Sequence, residues 1–328
     1  MKIELLELLR CPKSGQRLIL KDAENNLQNI EIGILVSEDG LNHYPIRNGI
    51  PRFVPQTNYA DNFGLQWNHF SKTQLDSYSG HPISADRFWK ATGWSPNELK
   101  GQWVLDVGCG AGRFAEVALI AGAKVVALDY SSAVDACYNN LKHFPNLHVV
   151  QGDIYSLPFE KAIFPFVSSL GVLQHTPDVA KAFAALPSMV QKGGKLCVDF
   201  YWKRFKTMLH SKYLVRPISK HMSQKKLFSL LQKITPSLLI ISQVLGSVPI
   251  IGKVLKRLIP VANYTGIYPL SKQQLKEWAL LDTFDMLAPT YDNPQTMETV
   301  QNWFAKANLV DIEVFHEGHL VGRGIKST

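Results

Sequence analysis

The chain has 328 residues, 46% of them hydrophobic, which is long enough for one large or two modest domains with sizeable cores. Its four cysteines are widely scattered, which argues against a disulfide framework, predicts no metal site and favours a reducing compartment. The net charge of +8 comes from one segment: Lys203 to Pro260 holds 12 Lys or Arg and no Asp or Glu, whereas the rest carries 23 basic and 27 acidic residues.

The amino-terminal stretch MKIELLELLR carries Glu4 and Glu7 among its leucines. This pattern predicts an amphipathic helix and not a signal peptide, so we expect a cytoplasmic protein. CPKSGQRL then turns into a strand, and YPIRNGIP at 44–51 closes the unit. Residues 1–57 are therefore interpreted as a small α+β module, and residues 58–100 as a connecting segment rich in aromatic side chains that packs the module onto the rest of the chain.

The stretch WVLDVGCGAGRF at 103–114 predicts a buried strand, a glycine loop and the start of a helix. Gly108, Gly110 and Gly112 occupy every second position of the loop. A side chain at such positions would prevent a tight turn and the close approach of a ligand to the backbone. This order of elements is typical of a nucleotide site at the edge of an open α/β sheet.

The spacing G-x-G-x-G differs from the dinucleotide pattern G-x-G-x-x-G. A second apolar strand, 124–128, is followed by Asp129, whose carboxylate suits the two hydroxyls of a ribose. A third strand, 147–151, leads to Gly152 and Asp153, which offers a second carboxylate for an adenine amino group. These residues predict a nucleotide site whose glycine spacing differs from the dinucleotide type.

Strand and helix patterns alternate through 101–202, and a last helix and hairpin follow from about Val300. Residues 101–202 and 267–328 are therefore interpreted as one α/β domain with a doubly wound, mostly parallel sheet. Pro165 cannot donate to a strand ladder, so we expect the fourth strand to begin after it.

Residues 203–266 are interpreted as a basic, amphipathic helical insertion after the fifth strand. Pro236 and Pro249 interrupt its uncharged stretch, so we expect no membrane-spanning helix there. Three interpretations remain: a helical lid over the substrate, a contact with an anionic membrane surface, or an arm that binds RNA phosphates. The segment has few aromatic residues for base stacking, which ranks nucleic acid last.

Four elements in order, VLDVGCGAGRF, VVALDYS, GDIYSLPF and LGVLQHTPD, resemble the class I methyltransferases that use S-adenosylmethionine. The resemblance implies a seven-stranded sheet and S-adenosyl-L-methionine as methyl donor. It also implies that FGLQWNHF at 63–70 covers the donor, so that Phe63 could line the donor site. The donor-binding residues implied are Gln66, Trp67, Asp106, Gly108, Cys109, Gly110, Gly112, Arg113, Asp129, Tyr130, Ser131, Asp153, Ile154 and Gly171.

The small module resembles the zinc-ribbon-like activator domains of methyltransferases. Cys11 and Pro12 match the start of their C-P-x-C motif, but Ser14 stands at the second cysteine position. One thiolate cannot hold tetrahedral zinc, so we expect a metal-free version with a structural or docking role.

Methyl transfer to a hydroxyl or amine needs a group that removes a proton. His175, in the loop after the fourth strand, is one candidate, and a packing or capping role is the alternative for it. Asp282, Asp285 and Tyr291 are further candidates, from a run that recurs before the last helix in similar methyltransferases.

The sequence therefore predicts a methyltransferase that acts on O or N of a small-molecule, glycan or lipid-linked acceptor. An RNA methyltransferase, of rRNA or tRNA, and a donor-binding relative without catalysis are the alternatives. The basic insertion adds the expectation of peripheral contact with an anionic membrane, at its inner face.

Overall fold

The computed structural model describes residues 1–24, 29–55, 61–205 and 210–328. Within them the chain forms a four-stranded antiparallel sheet near the amino terminus and a seven-stranded sheet further along. The predicted fold class, a doubly wound and mostly parallel sheet preceded by a small α+β module, is confirmed.

The small module starts with one helix, and its strands are paired in sequence order. The elements are α1 (Ile3–Leu8), β1 (Leu18–Glu24), β2 (Ile32–Ser37), β3 (His43–Arg47) and β4 (Ile50–Pro51). Cys11 is buried, and its Sγ lies 3.2 Å from the Tyr44 hydroxyl. The cysteine that matches the start of the C-P-x-C motif thus packs inside the module.

The module lies against the edge of the large sheet. The backbone N–H of Phe53 donates to the Gln151 carbonyl at 2.8 Å, and Arg52 forms an ion pair with Asp135 at 2.6 Å. Leu5 and Leu9 of the module belong to the same buried cluster as the core of the large sheet. The two parts therefore share one core.

Four short helices make up the described part of the connecting segment: α2 (Asp61–His69), α3 (Asp76–Ser79), α4 (Ile83–Thr92) and α5 (Pro96–Leu99). Phe88 and Trp94 of this segment are buried against the core, next to Phe114 and Phe166. These aromatic rings thus join the connecting segment to the sheet.

The large sheet has the strand order β10-β11-β9-β8-β5-β6-β7. Strands β5 to β9 are parallel, and β10 and β11 form an antiparallel hairpin that pairs with β9. The strands are β5 (Trp103–Val107), β6 (Lys124–Asp129), β7 (Leu147–Gln151), β8 (Phe164–Ser169), β9 (Val190–Phe200), β10 (Leu309–Glu317) and β11 (His319–Lys326). β5, at the reversal of strand order, places its carboxyl end where such sheets bind ligands.

Helices cover both faces of this sheet, because its parallel strands are apolar on both sides. Leu105 and Val104, adjacent in β5, belong to the buried clusters of opposite faces. The helices are α6 (Arg113–Ile120), α7 (Ala133–Leu141) and α8 (Val179–Ala185), with α13 (Met297–Lys306) before the hairpin. Short 3₁₀ turns occupy Ile154–Ser156, Leu173–His175 and Leu186–Ser188.

The expectation for Pro165 is wrong. β8 begins at Phe164, and its pairing with β9 shifts register between Phe164 and Phe166. Such an irregularity leaves a position without a ladder hydrogen bond, so a residue that lacks an N–H fits there.

The insertion is helical, as predicted: α9 (Lys212–Ser219), α10 (Gln224–Gly246) and α11 (Gly252–Leu255) precede α12 (Lys272–Leu287). Its residues 206–209 lie outside the described part. Leu227 and Leu231 of α10 pack on Phe284 of α12.

The expectation that Pro236 interrupts the apolar stretch is wrong. α10 runs through it for 23 residues, and by length and composition this helix alone among the described ones could cross a membrane. Proline costs about 3 kcal/mol inside a helix. Leu231 before it and Leu239 after it are both buried. Each contributes about 1.5–3 kcal/mol, which offsets that cost.

His148 on β7 links the stability of the protein to pH. Its side chain is buried between the module and the sheet, 3.8 Å from Glu4, and burial lowers its pKa from 6.5 to about 4. The unfolded chain binds this proton at a higher pH than the folded protein does, so stability falls as pH drops from 6.5 towards 4. We expect His148 to account for about 2 kcal/mol of lost unfolding free energy between pH 8 and pH 5.

Urea unfolding at both pH values checks this expectation. His148→Gln should lose that share of the pH dependence, whereas His143→Gln, at an exposed position, should keep it. Equal pH dependence in the two variants would contradict the expected role of His148.

Candidate functional site

Polar side chains stand at or next to the carboxyl ends of all five parallel strands. They are Asp106, Asp129, Gln151, Ser169 and Asp199. Because parallel strands end at the same edge of the sheet, these residues lie along that edge, at the crevice where such folds usually bind ligands.

The glycine loop between β5 and α6 forms the floor of this crevice. Gly108, Gly110 and Gly112 have φ values of 86°, 53° and 97°. A Cβ on Gly108 would lie 2.4 Å from the Val172 side chain, and one on Gly110 would lie 3.1 Å from the Trp67 indole. The loop therefore needs glycine for its conformation and for its neighbours.

Asp129 ties the end of β6 to the glycine loop. One carboxylate oxygen accepts from the Gly110 N–H at 2.9 Å, and the other accepts from the N–H and hydroxyl of Ser131 at 2.8 and 2.7 Å. Burial raises the pKa of Asp129 despite these bonds. Tyr130 lies between Asp129 and Ser131 in the sequence, and its carbonyl accepts a hydrogen bond from the Gln151 side-chain amide at 3.2 Å.

Asp106 is a buried carboxyl group that lacks a full set of partners. The Ser168 hydroxyl donates to Oδ1 at 3.4 Å, and Oδ2 has no hydrogen-bond partner within the described chain. Burial raises the pKa of Asp106 to about 7. An unpartnered carboxylate oxygen beside a glycine loop fits a ligand that carries positive charge.

Other residues predicted to bind the donor make hydrogen bonds within the chain. Asp153 accepts from the Tyr155 N–H at 2.9 Å, with Ile154 buried beside it, and the Gly171 N–H donates to Asp199. A hydrogen bond with Cys137, together with burial, raises the pKa of the Cys109 thiol.

Arg113 points away from the loop. Its Nε donates to the Ser84 hydroxyl at 2.9 Å and its Nη1 to the Gln74 side chain at 3.0 Å. The guanidinium group therefore holds the connecting segment in place.

Helix α2 crosses from the glycine loop to a second group of polar residues. Trp67 lies on Gly110, the Gln66 amide donates to Asp285 at 3.4 Å, and the Phe63 ring is 5.3 Å from that of His175. One helix of nine residues thus contacts both the donor crevice and the predicted catalytic residues.

The second group brings His175 and Asp285 together. His175 Nδ1 lies 3.1 Å from the Tyr291 carbonyl, and its Nε2 is 4.0 Å from Asp285 Oδ2. His175 Nε2 is buried without a hydrogen-bond partner among the described residues. The Tyr201 hydroxyl donates to Asp285 at 3.1 Å. We call His175, Tyr201, Asp285 and the Tyr291 carbonyl the acceptor cluster.

Tyr201 was missed in the sequence, although its position one residue after β9 was a usable signal. Burial and the nearby Asp285 raise its pKa well above the ordinary tyrosine value. Asp282, one turn before Asp285 on α12, instead accepts from the Tyr264 hydroxyl and from Gln74 at 3.1 Å. Burial raises the pKa of Asp282 to about 6.

The insertion holds the loop that carries Tyr291. Lys212 forms an ion pair with Asp292 at 2.8 Å. Both side chains are buried, with exposed fractions of 8% and 3%. Arg216 donates to the carbonyls of Met286 and Pro289 at 3.0 and 2.9 Å. Helix α9 therefore fixes the backbone on both sides of α12's carboxyl end.

The sequence analysis also missed the ion pair between Arg87 and Asp199, whose charged groups are 2.7 Å apart. Although burial opposes it, this ion pair keeps the pKa of Asp199 below its ordinary value. A cavity of about 220 Å³ lies between α2, α10 and α12. Its wall combines apolar side chains, among them Phe70 and Leu239, with polar ones, among them Gln232, Lys276 and Glu277.

Comparison with known proteins identifies the segment that holds the glycine loop and most of the parallel strands. Residues 105–198 match the family model described as a methyltransferase domain. The strand order of the sheet and this match agree with the class I methyltransferase fold.

Curated relatives match over the same part of the chain. A ubiquinone biosynthesis O-methyltransferase of Coxiella burnetii is 31% identical over 115 residues, 34% of this chain and 49% of the relative. A tRNA U34 carboxymethyltransferase of Pseudoalteromonas translucida is 32% identical over 133 residues, 37% of this chain and 41% of the relative. The chain thus matches less than half the length of either.

Among solved structures, a magnesium protoporphyrin IX methyltransferase of Synechocystis is similar at 14% identity with a TM-score of 0.39. The alignment covers 84% of this chain and 90% of that one.

The unpartnered Asp106 predicts pH-dependent binding of S-adenosylmethionine, which is cationic. The carboxyl group is protonated below about pH 7 and ionised above it, so affinity should rise with pH. If only the ionised form binds, the apparent Kd should fall about tenfold between pH 6 and pH 8.

Calorimetric titration at the two pH values measures this change. Asp106→Asn keeps a hydrogen-bond acceptor for Ser168 but removes the titrating carboxyl group. The Kd of this variant should therefore change less between pH 6 and pH 8 than the Kd of the wild type. An equal change in both proteins would contradict the assignment.

Proposed function

We propose that this protein is a methyltransferase that uses S-adenosylmethionine as methyl donor. The observation that carries the proposal is the glycine loop held by Asp129 at the reversal of strand order, within the segment that matches a methyltransferase domain. Of the relatives that match this segment, one is named an O-methyltransferase and another a carboxymethyltransferase.

The crevice supplies contacts for each part of the donor. Main-chain N–H groups of the glycine loop can approach it closely, and Asp129 and Asp153 stand at the ends of neighbouring strands for the ribose and the adenine. Asp106 offers its unpartnered oxygen to positive charge. S-adenosylmethionine would supply a methyl group bonded to a positively charged sulfur. An oxygen or nitrogen nucleophile would attack the methyl carbon in line with the C–S bond, and the electrons of that bond would leave with the sulfur as a neutral thioether.

His175 is the group we propose to take the proton of the nucleophile. The carbonyl of Tyr291 can only accept a hydrogen bond, so Nδ1 of His175 carries the hydrogen and Nε2 carries the lone pair. Asp285 is placed to stabilise the imidazolium that forms when Nε2 takes a proton, and Tyr201 and Gln66 orient Asp285.

The acceptor class we propose is a small-molecule, glycan or lipid-linked compound with a hydroxyl or amine. The cavity adjoins α2, which contacts the acceptor cluster through Gln66, and α12, which carries Asp285. Its apolar wall favours an acceptor with an apolar part. An RNA acceptor is the second candidate, because one relative is named for tRNA and the insertion is basic.

For the small module we propose a structural role. Its contacts through Arg52 and Phe53 cover the edge strand β7 next to Gln151, close to where the nucleoside would lie. The buried contact between Cys11 and Tyr44 supports the metal-free version.

Two variants separate donor binding from catalysis. Asp129→Ala removes three hydrogen bonds at the crevice and should abolish donor binding. His175→Ala should keep donor affinity within about twofold and lower turnover by about a hundredfold or more. Binding is measured by calorimetry and turnover by label transfer from methyl-labelled donor.

If the two variants lose donor binding equally, His175 has a packing role instead, through its ring contacts with Phe63 and Tyr201. Asp285→Asn is the matched test of the partner, and its turnover should fall while donor binding persists.

The acceptor class is tested with wild-type protein, labelled donor and cell extract, separated into lipid, polysaccharide, small-molecule and nucleic-acid fractions. Label in one of the first three supports the proposed acceptor class, and label in RNA supports the second candidate. Donor binding without label in any fraction would identify a donor-binding relative without catalysis.

A further inference from the structure

The far end of the insertion exposes eight large apolar side chains within nineteen residues. We call it the apolar tip; it includes the end of α10, the turn at 247–251, α11 and the 3₁₀ turn Lys256–Leu258. Its exposed members are Ile240, Ile241, Val244, Val248, Ile250, Ile251, Val254 and Leu258. A soluble surface rarely gathers so many such residues, and a patch of this kind marks an interaction site.

Ile250 is the extreme case. Its side chain is 99% exposed, and its φ of 67° is a left-handed conformation that β-branched residues avoid. No burial within the chain offsets this unfavourable backbone. Strain of this kind is typical of a residue that acts on a partner.

Helix α10 explains why the tip projects. Its buried residues, Leu227, Leu231, Thr235, Leu239 and Ser242, follow one face at intervals of three or four. Only 28% of its most apolar window is buried in the protein, although the helix is long and apolar enough to cross a membrane. Much of its apolar surface therefore faces outward.

Charge identifies the kind of partner. The segment from Lys203 to Pro260 has 12 basic residues and no acidic ones. Lys256 and Arg257 adjoin the tip, and Lys225 and Lys233 are exposed on α10. Apolar side chains flanked by basic residues without acidic ones match the boundary between anionic lipid headgroups and acyl chains.

We infer that the apolar tip docks on a lipid bilayer that contains anionic phospholipid. The apolar side chains enter the headgroup boundary and the basic residues face the phosphates. A second copy of the chain fits less well, because it would bring two strongly basic segments together. Nucleic acid would leave the apolar residues in water. The docking stands independently of methyl transfer, since it needs neither donor nor acceptor.

Sedimentation of the full chain with vesicles tests the inference. We expect binding to phosphatidylcholine vesicles that contain a quarter phosphatidylglycerol, and much weaker binding to phosphatidylcholine alone. Ile250→Asp with Val254→Asp should weaken vesicle binding at least about tenfold, because each loses the burial of a large side chain. Lys256→Glu with Arg257→Glu should weaken binding to the anionic vesicles by at least about thirtyfold.

Leu41→Asp is the matched control, since Leu41 is 80% exposed on the small module, and it should bind vesicles as the wild type does. Urea unfolding of every variant verifies that it folds. Absence of binding to anionic vesicles, or equal binding by the tip variants and the wild type, would overturn the inference. So would a dimer or an RNA complex that the tip variants abolish while vesicle binding persists.

Discussion

The close approach of three elements to the glycine loop is the constraint on which the rest of the structure depends. Asp129 binds the Gly110 N–H from one side, while Val172 and Trp67 pack on the bare main chain from others. Any side chain on Gly108 or Gly110 would separate these elements. Because they come from β6, the loop after β8 and α2, the loop aligns parts of the chain that are far apart in sequence.

That alignment connects the donor crevice with the acceptor cluster. Trp67 lies on the loop, and Gln66, its neighbour in α2, reaches Asp285. A displacement of α2 would therefore alter both the floor of the crevice and the orientation of the carboxylate beside His175. The two halves of the site share one short helix, which makes their geometry interdependent.

The insertion has two physically different halves. Near the sheet, Lys212 and Arg216 place positive charges around the buried Asp292. Burying such charges costs several kcal/mol of desolvation, so an ion pair of this kind does little for net stability. Its effect is positional, since it holds the loop whose Tyr291 carbonyl orients His175. Farther out, the apolar tip makes few contacts with the chain.

The sequence by itself determined the sheet, the glycine loop and the carboxylates at the strand ends, because these depend on local hydrophobic periodicity and on what glycine permits in a turn. Only the tertiary structure decided that Pro236 lies inside a helix, since burial of Leu231 and Leu239 outweighs the local preference. It also directed Arg113 towards Gln74 and joined His175 to Asp285 and Tyr201. Contacts between residues so far apart in the chain leave no local pattern, because packing of whole elements creates them.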